Sequence, residues 1–357
     1  MSERIKKISI ISDTFILFDE IAPSLHPRGS NILLWNVIKS LLDNYQIDFE
    51  IYQFGKKDSE KEFNNIKIVT LQSDSFDQYK EKLGALSFDS DILHYNNIDL
   101  VSSEKNIITT ATIHTNAFLE KESAKERLLE CSSFFNKIVV VNDGYVDRYN
   151  ELGNKIRLIK NGVPLDTFRF SNKKQIYESH ISILFPNLNS PKKNRDFAVE
   201  LIKELNKGEK RYNLILTGES EILDLDNDMY EFVGQVNYGS DMQKLYHSCD
   251  ITIVPSISES CSLCSLESMA CGTVVIANDI EGVSSYIIDN ISGFLVSTGN
   301  IQDWVLTIKR LVNNPKEYYE IARNARNIME KEYNSERMAT DYYKMWINLI
   351  EGKDEKM

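Results

Sequence analysis

The chain has 357 residues, 42% apolar and 26% charged, long enough for two domains that each bury a core. No stretch holds the roughly 18 consecutive apolar residues of a membrane span. A net charge of −12, with neither half basic, argues against nucleic acid as the main partner and against stable docking on anionic lipid.

The N-terminal residues MSERIKKISIISD read as a strand rather than a signal peptide. Five cysteines in no disulfide-like framework read as reduced thiols of a cytoplasmic protein. Apolar runs alternate with helical-period segments, the pattern of parallel sheets covered by helices. The first strand is predicted over 5–12 and a helix over 30–42, with Ser30 as its cap. Strands recur near 47–54, 66–71, 91–95, 107–114, 137–142 and 156–160. The segment KNGVPLDTF (160–168) is the best boundary, dividing the chain into 1–162 and 163–332. A second series follows, with strands near 181–185, 212–217, 230–234, 250–255, 273–277 and 293–297. After Gly299 the pattern is helical, with Pro315 at a favourable first-turn position and aromatic and aliphatic residues at helical spacing in 333–350.

Candidate chemistry concentrates between Asp250 and Asp279. An apolar run ends at Pro255, a Ser-rich turn carries Glu259, and a helix of small residues carries Glu267. Ligands of open parallel sheets bind at the carboxyl ends of strands, where helix N-terminal amides attract phosphate. One carboxylate near such a site and a second about two turns along the helix suit a ligand with phosphate at its centre and hydroxyls at both ends. A nucleotide-sugar fits. Cys261 and Cys264 form C-x-x-C, with His247, Cys249 and Cys271 nearby. Structural zinc usually needs two clean ligand pairs, and here His247 and Cys249 flank the start of a strand. These cysteines therefore read as small buried residues and no metal is expected. No G-x-x-x-x-G-K-[ST], G-x-G-x-x-G or G-x-S-x-G occurs, so the usual marks of P-loop NTPases, simple dehydrogenases and α/β-hydrolases are missing.

The E-x7-E of Glu259 and Glu267 resembles that of retaining glycosyltransferases of family 4, the glycosyl transferases group 1. The resemblance extends in order through KNGVPLDTF (160–168), YNLILTGESE (212–221), YEFVGQV (230–236), MQKLYHSCDITIVPS (242–256), MACGTVVIA (269–277) and NISGFLVSTGN (290–300). It is specific over 156–335 and looser before. It implies an α/β fold of the GT-B type: two Rossmann-like parallel-sheet domains facing across a cleft, with the last helix, 333–351, returning to the N-terminal domain.

By the same resemblance, Glu259 orients the donor sugar and Glu267 binds ribose hydroxyls. Ser260, Cys261, Ser262, Leu263 and Cys264 stand where the family offers backbone N–H groups to sugar and diphosphate. In ILFPNLNSPKKN (183–194), Lys193 matches the family's diphosphate-binding lysine, with Lys192 beside it. Gly234, ending the 230–234 strand, brings backbone to the base. Gly29 and Ser30 occupy the loop after the first strand, which faces diphosphate and acceptor. Asp13 at the end of that strand and His94 at the end of another are acceptor-side candidates, and His114 resembles the family's strand-end histidine beside the donor sugar.

The implied reaction moves a hexose from a nucleoside-diphosphate sugar, UDP ahead of GDP, to a hydroxyl of a glycan, protein or small molecule. Configuration is retained, and neither cofactor nor metal is required. Two departures stand out. Leu188 and Asn187 replace the family's arginine and glycine, and Glu281 and Ser285 replace the glycine and glutamate of its G-G-x-x-E pattern. They keep two other readings open: a catalytically weak partner subunit that binds glycan or a sister transferase, and a GT-B nucleotide-sugar epimerase.

Overall fold

The structure is a computed structural model that describes residues 5–13, 29–101, 103, 105–115, 122–171, 180–186, 190–208, 210–218, 226 and 228–353. The chain divides into two compact units: Met1–Gly162 together with Ser335–Met357, and Val163–Asn334.

The first unit is built on an eight-stranded sheet in the order β3-β4-β2-β1-β5-β6-β7-β8. Its strands are β1 (Lys7–Ile11), β2 (Asp48–Gly55), β3 (Ser59–Phe63), β4 (Ile66–Gln72), β5 (Ile92–Tyr95), β6 (Ile108–Ile113), β7 (Lys137–Val140) and β8 (Ile156–Leu158). All pairings are parallel except β3 with β4. Every expected strand is present within a few residues, and β3 is an addition. Its five residues are all exposed, so it has no apolar face for a periodicity search to find. What builds it is the Asn64–Asn65 turn, with Asn64 at φ 48°, the positive-φ geometry that two-residue hairpins require.

The helix Gly29–Asn44 begins one residue before the expected start. Ser30 therefore lies inside the first turn and is not the cap, and Gly29 is helical rather than part of a loop. Against this helix packs the C-terminal helix Ser335–Ile350, which buries Met338, Ala339, Tyr342, Met345 and Trp346 at helical spacing. Tyr45 and Tyr343 stack at 4.0 Å. Two polar bonds fix the helix on the sheet: Tyr342 Oη lies 2.7 Å from Thr112 Oγ1, and Trp346 Nε1 donates to Thr110 Oγ1 at 3.1 Å.

The second unit holds a six-stranded parallel sheet in the order β11-β10-β9-β12-β13-β14. Its strands are β9 (Ile181–Phe185), β10 (Tyr212–Thr217), β11 (Tyr230–Gly234), β12 (Ile251–Val254), β13 (Val274–Asn278) and β14 (Phe294–Val296). Successive side chains alternate between two cores, as the period of two demands. Ile183, Leu214, Ile253 and Ile276 meet the helices Arg195–Leu205 and Ile301–Val312. Leu184, Ile215, Val254 and Val275 meet the helices Ser240–Ser248 and Leu263–Cys271. Both faces are covered, which is why these strands read as continuous apolar runs. Chain order reverses between β9 and β12, and in the first unit between β1 and β5. These are the switch points where open parallel sheets leave a crevice at their carboxyl ends.

Candidate functional site

In the second unit, the segments leaving β9 and β12 meet at the switch point. After β9, Pro191–Lys193 forms a single 3₁₀ turn, and Asn194 takes the left-handed conformation (φ 63°) before the helix Arg195–Leu205. Asn tolerates this geometry better than other residues that carry a Cβ. After β12, residues 255–262 form the loop that carries Glu259. Ile257 N donates to Lys192 O at 2.9 Å. Asn194 Nδ2 and Asn278 Nδ2 both donate to Pro255 O, at 3.2 and 2.8 Å, and Asn278 Nδ2 also reaches Ser256 O at 3.0 Å. Three strand ends are thereby tied together through main-chain oxygens.

On this frame Lys193 Nζ and Glu259 Oε1 approach to 2.5 Å, with side chains only 19% and 11% exposed. Burial by itself would lower the Lys193 pKa. The charge and hydrogen bond of Glu259, together with the neighbouring Cys264, outweigh it, and the ammonium is held above its ordinary value. Next to the pair begins the helix Leu263–Cys271. Ser262 at its N-cap makes no side-chain capping bond; its carbonyl accepts from Ser265 N and Leu266 N at 3.1 and 3.2 Å, and helix geometry leaves over the amides of Leu263 and Cys264. The helix ends on Gly272 at φ 80°, where a Cβ would come within 2.5 Å of the Phe170 ring.

Glu267 sits one turn in and is buried. Tyr246 Oη donates to its Oε2 at 2.7 Å. Loss of solvent pushes this carboxyl up to about 8, the tyrosine bond opposing the shift. The Cys264 thiol, flanked by Glu267, Lys193 and Glu259, is pushed up to about 12, mainly by burial. It is a protonated, unreactive thiol at neutral pH. None of the five cysteines forms a disulfide. Among the described residues, no group of three or more His, Cys, Asp or Glu is placed to hold a metal ion, and no helix is long and apolar enough to cross a membrane.

The structure thus brings together Lys193, Glu259, Ser260, Cys261, Ser262, Leu263, Cys264 and Glu267. Lys192 contributes its carbonyl oxygen, while its side chain is exposed. Gly234 ends β11 at φ 73°, and its carbonyl accepts from Gly218 N at 2.9 Å. Leu188 and Asn187 lie outside the described residues. Three contributors escaped sequence reasoning. Tyr246 is far from Glu267 in sequence and gave no local sign. Asn278 looks like an ordinary strand end. Gly282 lay in a segment that had been singled out for its departures. A Cβ on Gly282 would stand 1.9 Å from Glu259 O and 2.4 Å from Glu259 C, so the backbone that positions Glu259 rests directly on this glycine. Gly282→Ala is expected to destabilise the unit by about 1–3 kcal/mol and to displace Glu259. Thermal denaturation and nucleotide affinity should fall together, and a variant with wild-type values in both would refute the contact.

In the first unit, Asp13, Asn31, Asn96 and His114 gather at the other switch point. His114 Nε2 lies 2.9 Å from Asn96 Oδ1. Asp13 is buried, and its carbonyl accepts from Phe54 N at 2.9 Å. Gly29 is exposed and Ser30 half-buried at the helix start. His94 is a correction. Its Nδ1 lies 3.0 Å from Thr110 Oγ1 and its Nε2 3.3 Å from Thr112 Oγ1. Its ring meets Tyr342 and Trp346 edge-on, and burial lowers its pKa to about 3. Both nitrogens are occupied by threonines of β6, so His94 joins the C-terminal helix to the sheet and has no free atom for an acceptor. Its strand-end position in the sequence could not show that a helix from the other end of the chain covers it.

Residues 166–328 match the family described as glycosyl transferases group 1. A D-inositol 3-phosphate glycosyltransferase of Saccharomonospora viridis is 36% identical over 88 residues, 25% of this chain and 20% of that protein's length. The shared stretch is therefore a fifth of that relative. An uncharacterized glycosyltransferase, MJ1178 of Methanocaldococcus jannaschii, is 24% identical over 349 residues, covering 88% of this chain and 94% of its own. Among solved structures, Anabaena Alr3699/HepE in complex with UDP-glucose superposes with a TM-score of 0.73 at 15% identity, over 95% of this chain and 98% of that one. At that identity the likeness concerns the fold.

Proposed function

We propose that the chain is a retaining glycosyltransferase of the glycosyl transferases group 1 that moves a hexose from a UDP-sugar to an acceptor hydroxyl; residues 166–328 match that family, and the two parallel sheets have the GT-B architecture. The observation that carries the reading is the cluster at the β9–β12 switch point. There a largely buried lysine–glutamate pair, the N-terminus of a helix and a buried carboxyl gather around Cys264. A nucleoside diphosphate needs cationic and amide donors for its phosphates and a carboxylate acceptor for its ribose diol.

In this reading Lys193 and the amides around Ser262–Cys264 stabilise the diphosphate as the bond from sugar C1 to phosphate oxygen breaks and its electron pair passes to that oxygen. The acceptor hydroxyl oxygen bonds to C1 on the same face. Its proton goes to the departing diphosphate, so no protein nucleophile is needed. Fixed donors aimed at developing charge supply the stabilisation without reorganisation. Glu259 orients the sugar, and Glu267, supported by Tyr246, holds the ribose. The lysine does the work of neutralising phosphate, so the reading assigns no metal. Five cysteines that form no disulfide suit a cytoplasmic location. UDP is favoured because HepE, of like fold, is described with UDP-glucose.

Calorimetric titration with UDP, GDP and their hexose conjugates tests the proposal. The expected result is micromolar binding of one nucleotide, weakened at least tenfold by Lys193→Ala and by Glu267→Ala. A wild-type chain that binds none of them would refute the transferase reading and bring forward the partner subunit. Conversion of the donor to a sugar isomer without any acceptor would identify an epimerase.

A further inference from the structure

The lysine that the second unit offers to a diphosphate is already paired. Lys193 Nζ and Glu259 Oε1 lie 2.5 Å apart, and neither side chain has another hydrogen-bond partner among the described residues. The titratable groups around them carry no charge at neutral pH. Burial keeps the Cys264 thiol and the phenols of Tyr246 and Tyr286 protonated and pushes the Glu267 carboxyl up to about 8. The pair therefore brings one positive and one negative charge to the same spot. Its geometry is held from both sides. A Cβ on Gly282 would stand 1.9 Å from Glu259 O, so the glutamate backbone is packed against the segment after β13. Ile257 N donates to Lys192 O at 2.9 Å and ties the glutamate loop to the lysine turn.

With the pair intact, a phosphate oxygen that accepts from Lys193 Nζ stands no further than about 5.4 Å from Glu259 Oε1. That is inside the distance at which salt screens charges from one another. Donor and product differ in charge at this phosphate. In a nucleoside-diphosphate sugar the terminal phosphate is esterified and carries one negative charge. Breaking the bond to C1 leaves the electron pair on the phosphate oxygen, which takes the acceptor's proton. The last ionisation of a phosphate monoester lies near about 6, so the product then gives that proton to water and holds two charges there.

We propose that Glu259 is a specificity-determining residue that acts against the product: its fixed carboxylate weakens the hold of Lys193 on the doubly charged terminal phosphate of a free nucleoside diphosphate and so favours its release. The proposal rests on the transferase reading. Lys193 alone attracts two charges more than one and would favour product over donor. Glu259 takes back part of that preference. Like charges at this separation shift an affinity by about tenfold, after allowance for the water that both groups still touch.

Calorimetric titration of wild type, Glu259→Gln and Glu259→Asp with UDP, its terminal methyl ester and UMP tests the proposal. The ester has the donor's charge and no sugar, so a lost sugar contact cannot move its affinity. Glutamine frees Lys193 for UDP and ester alike, and the ratio of their affinities isolates the extra charge. In Glu259→Gln this ratio is expected to move about tenfold towards UDP. Glu259→Asp keeps a partner for Lys193 with its charge drawn back by one methylene, and should move the ratio the same way by a smaller factor. UMP, which ends before the terminal phosphate, should bind all three proteins within about twofold. Tightening of UDP and ester by the same factor, or an unchanged ratio in either variant, overturns the proposal and leaves the transferase reading standing. A wild type that binds none of the uridine ligands refutes the UDP-sugar reading and the proposal with it.

Discussion

Lys193→Ala is expected to lower kcat by about a hundred- to a thousandfold, the usual cost of one donor aimed at developing charge. The variant also strands Glu259, whose side chain is 11% exposed. A stranded buried carboxylate costs 3–5 kcal/mol when fully enclosed. Here both partners still touch solvent, so a loss on the order of 1–3 kcal/mol is expected. The two effects separate in the double variant Lys193→Ala/Glu259→Gln. Without the stranded charge, stability should return towards wild type while kcat stays low. If kcat recovered with stability, Lys193 would be a structural partner of Glu259 and the site would lie elsewhere. Denaturant unfolding beside steady-state kinetics supplies both readings.

Glu267→Gln is expected to stabilise the free protein at alkaline pH while removing nucleotide affinity. Burial raises the carboxyl to about 8 in the folded chain, against about 4.3 for an unfolded glutamate. Between those values the folded state keeps a proton that the unfolded state has released. Stability therefore falls as pH rises through this window, by up to about 1.4 kcal/mol per pH unit. Glutamine does not titrate. It can still accept from Tyr246 Oη, and its amide nitrogen replaces the protonated oxygen. Wild type and variant should melt together near pH 4 and diverge steadily towards pH 8.5, with the variant higher. UDP affinity should fall at least tenfold, because one carboxamide cannot accept from both ribose hydroxyls while also accepting from Tyr246. A melting difference independent of pH would mean that Glu267 is already ionised in the folded state.

The double use of this residue explains its surroundings. In the proposed reading, the carboxyl that serves a diol is held in a helix whose residues Ser265 to Cys271 are all buried. Tyr246 offsets part of the cost by donating to it. Cys264 adds no charge there, because its thiol stays protonated.

Much of the second unit was legible from local chemistry. Strands buried on both faces announce themselves as unbroken apolar runs, and Ile181–Phe185, Ile251–Val254 and Val274–Asn278 do so. Glu259, Lys193 and Glu267 could be placed because they follow such runs directly. Where a strand ends determines where the next side chains emerge, and chain order alone locates a crevice in a parallel sheet. The exposed strand Ser59–Phe63 was not legible by periodicity, since without a buried face there is no alternation to detect.

Pairings between residues distant in sequence depended on the tertiary structure. Nothing near His94 signals that Tyr342 and Trp346 will close over it and that two threonines will occupy its nitrogens. By local pattern it is the equal of His114, yet both nitrogens of one are bonded to threonines while Nδ1 of the other is buried without a hydrogen-bond partner among the described residues. The bond from Tyr246 to Glu267, the contact of Gly282 with Glu259 and the Asn31–Asn96–His114 chain likewise join separate elements. Sequence patterning sorts residues by burial and by strand end because hydrophobicity and backbone period are local properties. Which polar atom meets which is decided only when the elements pack, because hydrogen bonds act over about 3 Å and their partners here lie tens of residues apart.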